Sequence, residues 1–189
     1  MTRYAPVEVL SREHDRSTFD CGSEAQTTWL RQFAWQAQQS DTARVYVIRP
    51  HGEPRVAGYY AVAAGAIEPD LGTARLAAGA GRYPVPVVIL ARLGVDLRDQ
   101  GRRLGTELVR DAFLQTAAVA QQIGARALLI HAEDATTAAF YARLDPAFEP
   151  SRGDPLHLIL LLKDLRSAIR RAAATKAGAG SGDPAVSDG

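Results

Sequence analysis

One stretch constrains the fold more than any other: Val87-Val-Ile-Leu-Ala-Arg-Leu-Gly-Val95-Asp-Leu-Arg-Asp-Gln100-Gly-Arg-Arg-Leu-Gly105-Thr-Glu-Leu-Val-Arg110. It reads as a buried strand, a short loop and an amphipathic helix, the alternation of an α/β domain. A glycine-containing loop that enters a helix leaves free backbone N–H groups pointing outward, and the helix dipole favours negative charge there. Arg102 and Arg103 add formal positive charge. The turn is therefore read as a seat for a pyrophosphate, with Gln100, Gly101, Arg102, Arg103, Leu104, Gly105 and Thr106 as its candidate contacts.

The 189 residues suffice for one domain with a core of its own. No apolar run approaches membrane-spanning length, and the N-terminus lacks a signal pattern, so a cytoplasmic protein without a membrane partner is expected. A single cysteine, Cys21, cannot form an internal disulfide. A net charge of +1 argues against a wholesale nucleic-acid coat and leaves room for a local basic patch. No cysteine–histidine cluster has metal-ligand spacing, so no metal is expected.

Along the chain, Tyr4 to Leu10 reads as a first strand broken early by Pro6. Ser23 opens a helix, with Gln26 three residues on as a capping box requires, and Trp29, Leu30, Phe33, Ala34 and Ala37 recur at helical spacing to about Gln39. Strands over Ala43–Arg49 and Arg55–Ile67 flank a Pro/Gly turn and form a hairpin. A long connection from Pro69 to Pro86 holds a short helix near Ala74–Ala78. The strand Val87–Val95 follows, then a helix from Leu104 or Gly105 to Ile123, stopped by Gly124. Ala127–His131 is a strand, Thr136–Leu144 a helix, Leu156–Leu162 a strand and Asp164–Ala174 an Arg-rich helix. Residues 1–174 make the domain. Residues 175–189, made of Ala, Gly, Ser, Asp and Pro with little else, read as a disordered tail.

The loop Gln100-Gly-Arg-Arg-Leu-Gly105, with Phe140-Tyr141 after the next strand, resembles the GNAT superfamily of acetyl-CoA-dependent N-acetyltransferases. A narrower resemblance is to the GNAT-type toxins of bacterial toxin–antitoxin pairs, of the TacT and AtaT kind. It is carried by Phe19-Asp-Cys-Gly22, Trp29-Leu30, Ala34, Gln38, Ala43-Arg-Val-Tyr46, Gly58-Tyr-Tyr-Ala61, Arg82-Tyr-Pro84, Pro86 to Val95, Glu149-Pro-Ser151 and Leu158 to Asp164. The likeness spans roughly Asp15 to Arg166.

The resemblance implies a GNAT fold: a mixed central sheet of six to seven strands, flanked by helices and splayed at the acetyl-CoA site. It implies acetyl transfer to the α-amino group of an aminoacyl-tRNA, a block of translation, neutralisation by a ribbon-helix-helix antitoxin, and a homodimer. The competing readings are a GNAT enzyme of a small amine or protein, and a non-catalytic acyl-CoA-binding module. Two departures stand out. Arg103 replaces the middle loop glycine; either a positive φ strains it or its guanidinium reaches a CoA phosphate. The Gly-Phe usual after the tyrosine is replaced by Leu144-Asp-Pro-Ala-Phe148, which alters the turn.

An α-amino group titrates near about 8, so a useful fraction is neutral and attacks a thioester without a dedicated base. Glu68, Glu133 and Asp134 are conceivable bases but read better as solvated or capping carboxylates. Tyr141 is the expected proton donor to the departing thiolate. Backbone groups of Leu93, Gly94 and Val95 are expected to polarise the thioester and to pair with an extended pantetheine arm. Gly94 itself suggests a bulge or close ligand approach, and equally a small residue chosen for packing. His131 is a candidate cofactor contact. Arg92 reads as lining the substrate side, and Arg82 and Arg152 as candidate RNA phosphate contacts. Arg166, Arg170 and Arg171 read as a solvated face, Trp29, Phe33 and Trp35 as core or interface residues, and Cys21 as packed.

Overall fold

A computed structural model describes residues 4–178. Strands β1 (Glu8–Val9), β2 (Arg44–Ile48), β3 (Gly58–Ile67), β4 (Val85–Val95), β5 (Ala127–His131), β6 (Glu149–Pro150) and β7 (His157–Leu161) form one sheet in the order β1-β2-β3-β4-β5-β7-β6. Every neighbouring pair is antiparallel except β4 and β5. The mixed sheet agrees with the expected architecture. The expected first strand shrinks to Glu8–Val9, because Pro6 offers no donor to a ladder; Tyr4 makes only an isolated bridge with Pro50.

Ser23 caps α1 (Glu24–Thr28) by accepting from the Gln26 N–H. The helix runs on through a π turn, Trp29–Phe33, into α2 (Ala34–Gln39). A short α3 (Ala74–Ala77) lies in the long connection. The β4–β5 crossover is α4 (Leu104–Ile123), which ends at Gly124 with φ 78°, the left-handed stop that glycine permits. After α5 (Ala135–Leu144), α6 (Leu162–Gly178) closes the described chain, four residues beyond the expected Ala174. The rest of the expected tail lies outside the described residues. No helix among these residues is long and apolar enough to cross a membrane.

Strand alternation sends two sets of side chains to two faces. On one, Val88, Leu90, Leu128, Ile130, Leu158 and Leu160 pack with Leu104, Leu108 and Val109 of α4 and Leu165 of α6. On the other, two separate clusters form. Val45, Val47, Tyr59 and Ala61 meet Leu30, Ala34 and Phe19. Val85, Val87, Leu129, Ile159 and Leu161 meet Leu76. Between those clusters Ile89 and Ala91 stay half-buried.

The sheet opens in its middle. β4 pairs with β5 only from Val87↔Ala127 to Leu90↔Ile130, while its pairing with β3 continues to Gly58↔Val95. The register jumps from Val62↔Leu90 to Ala61↔Arg92, which leaves Ala91 as an extra residue on β4. This is a β-bulge, and it bends the strand away from its neighbour. The bulge falls at Ala91 and not at Gly94. Gly94 answers a packing need: a Cβ there would lie 2.9 Å from the Tyr59 ring.

Leu108 is fully buried where α4 crosses the sheet. Leu108→Ala is expected to lower the unfolding free energy by about 2–5 kcal/mol in urea titrations, the usual cost of such a core truncation.

Candidate active site

Two buried aspartates shape the loop that follows β4. Asp96 accepts from the Arg98 main chain and side chain and from the Asp20 N–H. Burial alone would raise its carboxyl, but these hydrogen bonds outweigh burial and hold it below the ordinary carboxylate range. Asp99 accepts from Tyr4 Oη at 2.7 Å and from Arg55 at 2.5 Å. The Gln100 amide donates to the carbonyls of Cys21 and Val95, so this side chain pins the loop to the end of β4. Sequence reading missed both aspartates; the only local signal is an Asp-x-x-Asp before a glycine turn.

The loop then enters α4 through two left-handed residues, Gly101 (φ 76°) and Arg103 (φ 64°). Arg103 is thus held in a conformation that suits glycine, at roughly 1–2 kcal/mol for a residue with a Cβ. The main-chain N–H groups of Arg103, Leu104, Gly105 and Thr106 have no acceptor among the described residues, and the first helical bond is Glu107 N–H to the Arg103 carbonyl. A row of such amides at the start of a long helix is suited to a phosphate group. Arg102 leans back: it donates to Tyr4 Oη at 3.2 Å and lies 4.0 Å from Asp99. Arg103 is exposed and has no side-chain partner among the described residues. The Leu104 side chain is buried in the core, so only its N–H faces outward.

The open half of β4 borders a cleft of about 320 Å³. Arg92, Leu93, Gly94, Val95, Gln100, His131 and Tyr141 all line it, so the structure brings these expected residues together. Tyr141, on α5, is 4% exposed overall and lines the cleft. Burial pushes its phenol above the ordinary range, so it keeps its proton. His131 stacks on His157 at 4.0 Å; burial and then the neighbouring imidazole lower its pKa. Cys21 is half-buried at the cleft wall.

A wider trough of about 840 Å³ adjoins the cleft and shares Ser23, Arg92 and Glu133 with it. Ser23 Oγ donates to Glu133 at 2.7 Å, and Asp134 caps α5 by accepting from the Thr137 N–H. Arg92 lines both cavities, its guanidinium 5.8 Å from the Trp29 ring centroid. Of the residues read as core or interface, Trp29 packs on the core and both it and Phe33 border the trough, with Phe33 49% exposed. Arg82 and Arg152 lie outside both cavities, on the long connection and on the turn before β7. Arg171 is not only a solvated face; it bonds Asp145 at 3.0 Å. Among the described residues no His, Cys, Asp and Glu group is placed to hold a metal ion.

A sheet splayed beside a helix start with open amides, and a tyrosine facing the gap, is the architecture of a GNAT-type acetyltransferase. No family model matches the chain. It is 38% identical over 169 residues to the tRNA-acetylating toxin of Mycobacterium tuberculosis (strain ATCC 25618 / H37Rv), covering 89% of this chain and 99% of that protein. It is 27% identical over 170 residues to a "Probable toxin TacT" of Sinorhizobium fredii (strain NBRC 101917 / NGR234), covering 86% and 94%. The fold matches a Tyr-to-Phe mutant of KacT with a TM-score of 0.79 at 22% identity, over 87% of this chain and 98% of that one. It matches AtaT, complexed with acetyl-methionyl-tRNAfMet, with a TM-score of 0.78 at 24% identity and the same coverage. The chain belongs to the family of GNAT-type tRNA-acetylating toxins.

Two variants test the loop. Arg103→Gly is expected to raise the unfolding free energy by about 1 kcal/mol, because relief of the left-handed strain exceeds the entropy glycine adds to the unfolded chain. A lower urea midpoint would contradict this. Asp96 has a depressed folded-state pKa, so its contribution is present above the unfolded value of about 3.9 and fades as pH falls through the folded one. Asp96→Asn is expected to reduce stability at pH 7 and to flatten the loss of stability below about pH 4, read from thermal melts across that range.

Proposed function

We propose that the protein transfers the acetyl group of acetyl-CoA to the α-amino group of an aminoacyl-tRNA, and so removes the nucleophile that peptide-bond formation needs. The observation that carries this is the convergence of Tyr141 and the unpaired edge of β4 in one cleft. The relatives support the acceptor: one is named a tRNA-acetylating toxin, and the AtaT structure holds an acetylated methionyl-tRNA.

The residues divide the work as follows. The amides of Arg103 to Thr106 receive the pyrophosphate, with Gly101 turning the chain and the Arg103 guanidinium free to reach a phosphate. The open edge at Leu93–Val95 pairs with the pantetheine arm and polarises the thioester carbonyl. Arg92 and His131 border the reacting groups on either side. A neutral α-amine forms a bond to the thioester carbon as the carbon–sulfur bond breaks. The sulfur takes the Tyr141 proton, and the proton shed by nitrogen leaves through solvent and restores the phenol. Glu133 and Asp134 are engaged by Ser23 and Thr137, and an amine titrating near about 8 needs no further base.

AtaT has been seen bound to the C-terminus of the antitoxin AtaR, and KacTA as a complex with DNA. These support a cognate antitoxin here, which we take to be of the ribbon-helix-helix type and to act on a cytoplasmic homodimer. Arg82 and Arg152 are left to contact RNA phosphates away from the cleft.

The test is incubation of the purified protein with labelled acetyl-CoA and charged total tRNA. Label is expected on the α-amine of the aminoacyl group. Tyr141→Phe should lower kcat by roughly 10²- to 10⁴-fold with the KM for acetyl-CoA unchanged. Because burial raises the phenol's pKa, the wild-type rate should not fall before about pH 10. Label on free polyamine or peptide but not on tRNA would refute the proposal.

A further inference from the structure

The acyl transfer described above leaves most of the trough unused. Because the trough shares Ser23, Arg92 and Glu133 with the cleft, it is where the rest of the acceptor must lie while its nitrogen is beside Tyr141. Its floor is aromatic and layered. Trp29 stacks on Tyr59 at 5.9 Å with 12° between the planes, and Arg92 lies against the Trp29 ring. Trp29 and Phe33, four residues apart on one face of the helix, both line the trough, in a π turn closed by the Ala34 N–H on the Trp29 carbonyl. Trp29 is the supported layer and Phe33, at 49% exposure, the open one.

The rim is acidic. Glu24, Glu133 and Asp134 border the trough, and the Glu24 carboxylate has no side-chain partner among the described residues. Such a rim repels a phosphodiester chain and accepts hydrogen bonds from an amine. An open aromatic ring is a platform on which proteins hold an unstacked base. The ester of every aminoacyl-tRNA is carried on a 3′-terminal adenosine, whose base has an exocyclic amine and sits a few bonds from the reacting nitrogen. We infer that the trough holds this terminal adenine, stacked on the open Phe33 ring with its exocyclic amine toward Glu24. The inference rests on the aminoacyl-tRNA reading and gives it a grip on the one feature that all tRNAs share.

The probe is uncharged tRNA whose terminal adenosine is replaced by formycin, a fluorescent isomer of adenosine that keeps the exocyclic amine, titrated with the full chain. Stacking is expected to quench the fluorescence, Phe33→Ala to weaken binding roughly tenfold, and Phe33→Trp to retain it. In the labelling assay Phe33→Ala should raise the KM for aminoacyl-tRNA by a similar factor, the same for every amino acid, with kcat and the KM for acetyl-CoA unchanged. Phe33 is half open to solvent, so its melting temperature should not move. No quench, a quench indifferent to position 33, or a KM effect that varies with the amino acid would overturn the inference; the last would assign the trough to the aminoacyl side chain. A Phe33-dependent quench without labelled tRNA would keep the base site and refute the proposed reaction. Labelled tRNA without a quench would do the reverse.

Discussion

β4 hydrogen-bonds along both edges as far as Leu90 and along one edge beyond it. Main-chain groups in the interior of a protein require partners, so a half-paired strand persists only where something else completes it. The bulge at Ala91 creates the divergence, and the packing on either side maintains it. α4 fills the sheet face below the gap, α5 brings Tyr141 to its far wall, and Gln100 ties the departing chain back to Val95. The extended arm of an acyl carrier is the natural complement to such an edge.

Much of this was legible in local sequence. The period-2 and period-3.6 patterns located β5, α4 and α5, with Gly124 as a stop, because each element's burial is dictated by its own spacing. The strand–loop–helix motif and Phe140-Tyr141 pointed to Leu93–Val95, Gln100 and Tyr141, which the fold gathers in one cleft, while Gly101 to Thr106 lie outside its lining. What could not be read depended on distant partners. Asp99 is buried because Tyr4 and Arg55 reach it from 95 and 44 residues away. The bulge arises from the register between two strands, which neither strand encodes alone. Trp29 and Phe33 read as core or interface residues by their helical spacing, which does not show that both border an open trough. β6 has two residues, too few for a pattern.

The turn after Tyr141 shows how an unusual local sequence reaches a workable geometry. Asp145 is 4% exposed and folds the turn with its own carboxylate, accepting from the Ala147 N–H at 2.8 Å. Arg171 from α6 supplies the countercharge at 3.0 Å. The last helix therefore steadies the end of α5, and through it the tyrosine.

The left-handed arginine at the start of α4 has a consequence for the protein's lifetime. Every molecule carries that strain together with a row of unsatisfied amides, whereas a ligand seated there stabilises only the folded form and does so in proportion to its own abundance. If the acyl donor is seated there, as proposed, resistance to cellular proteases rises with its supply.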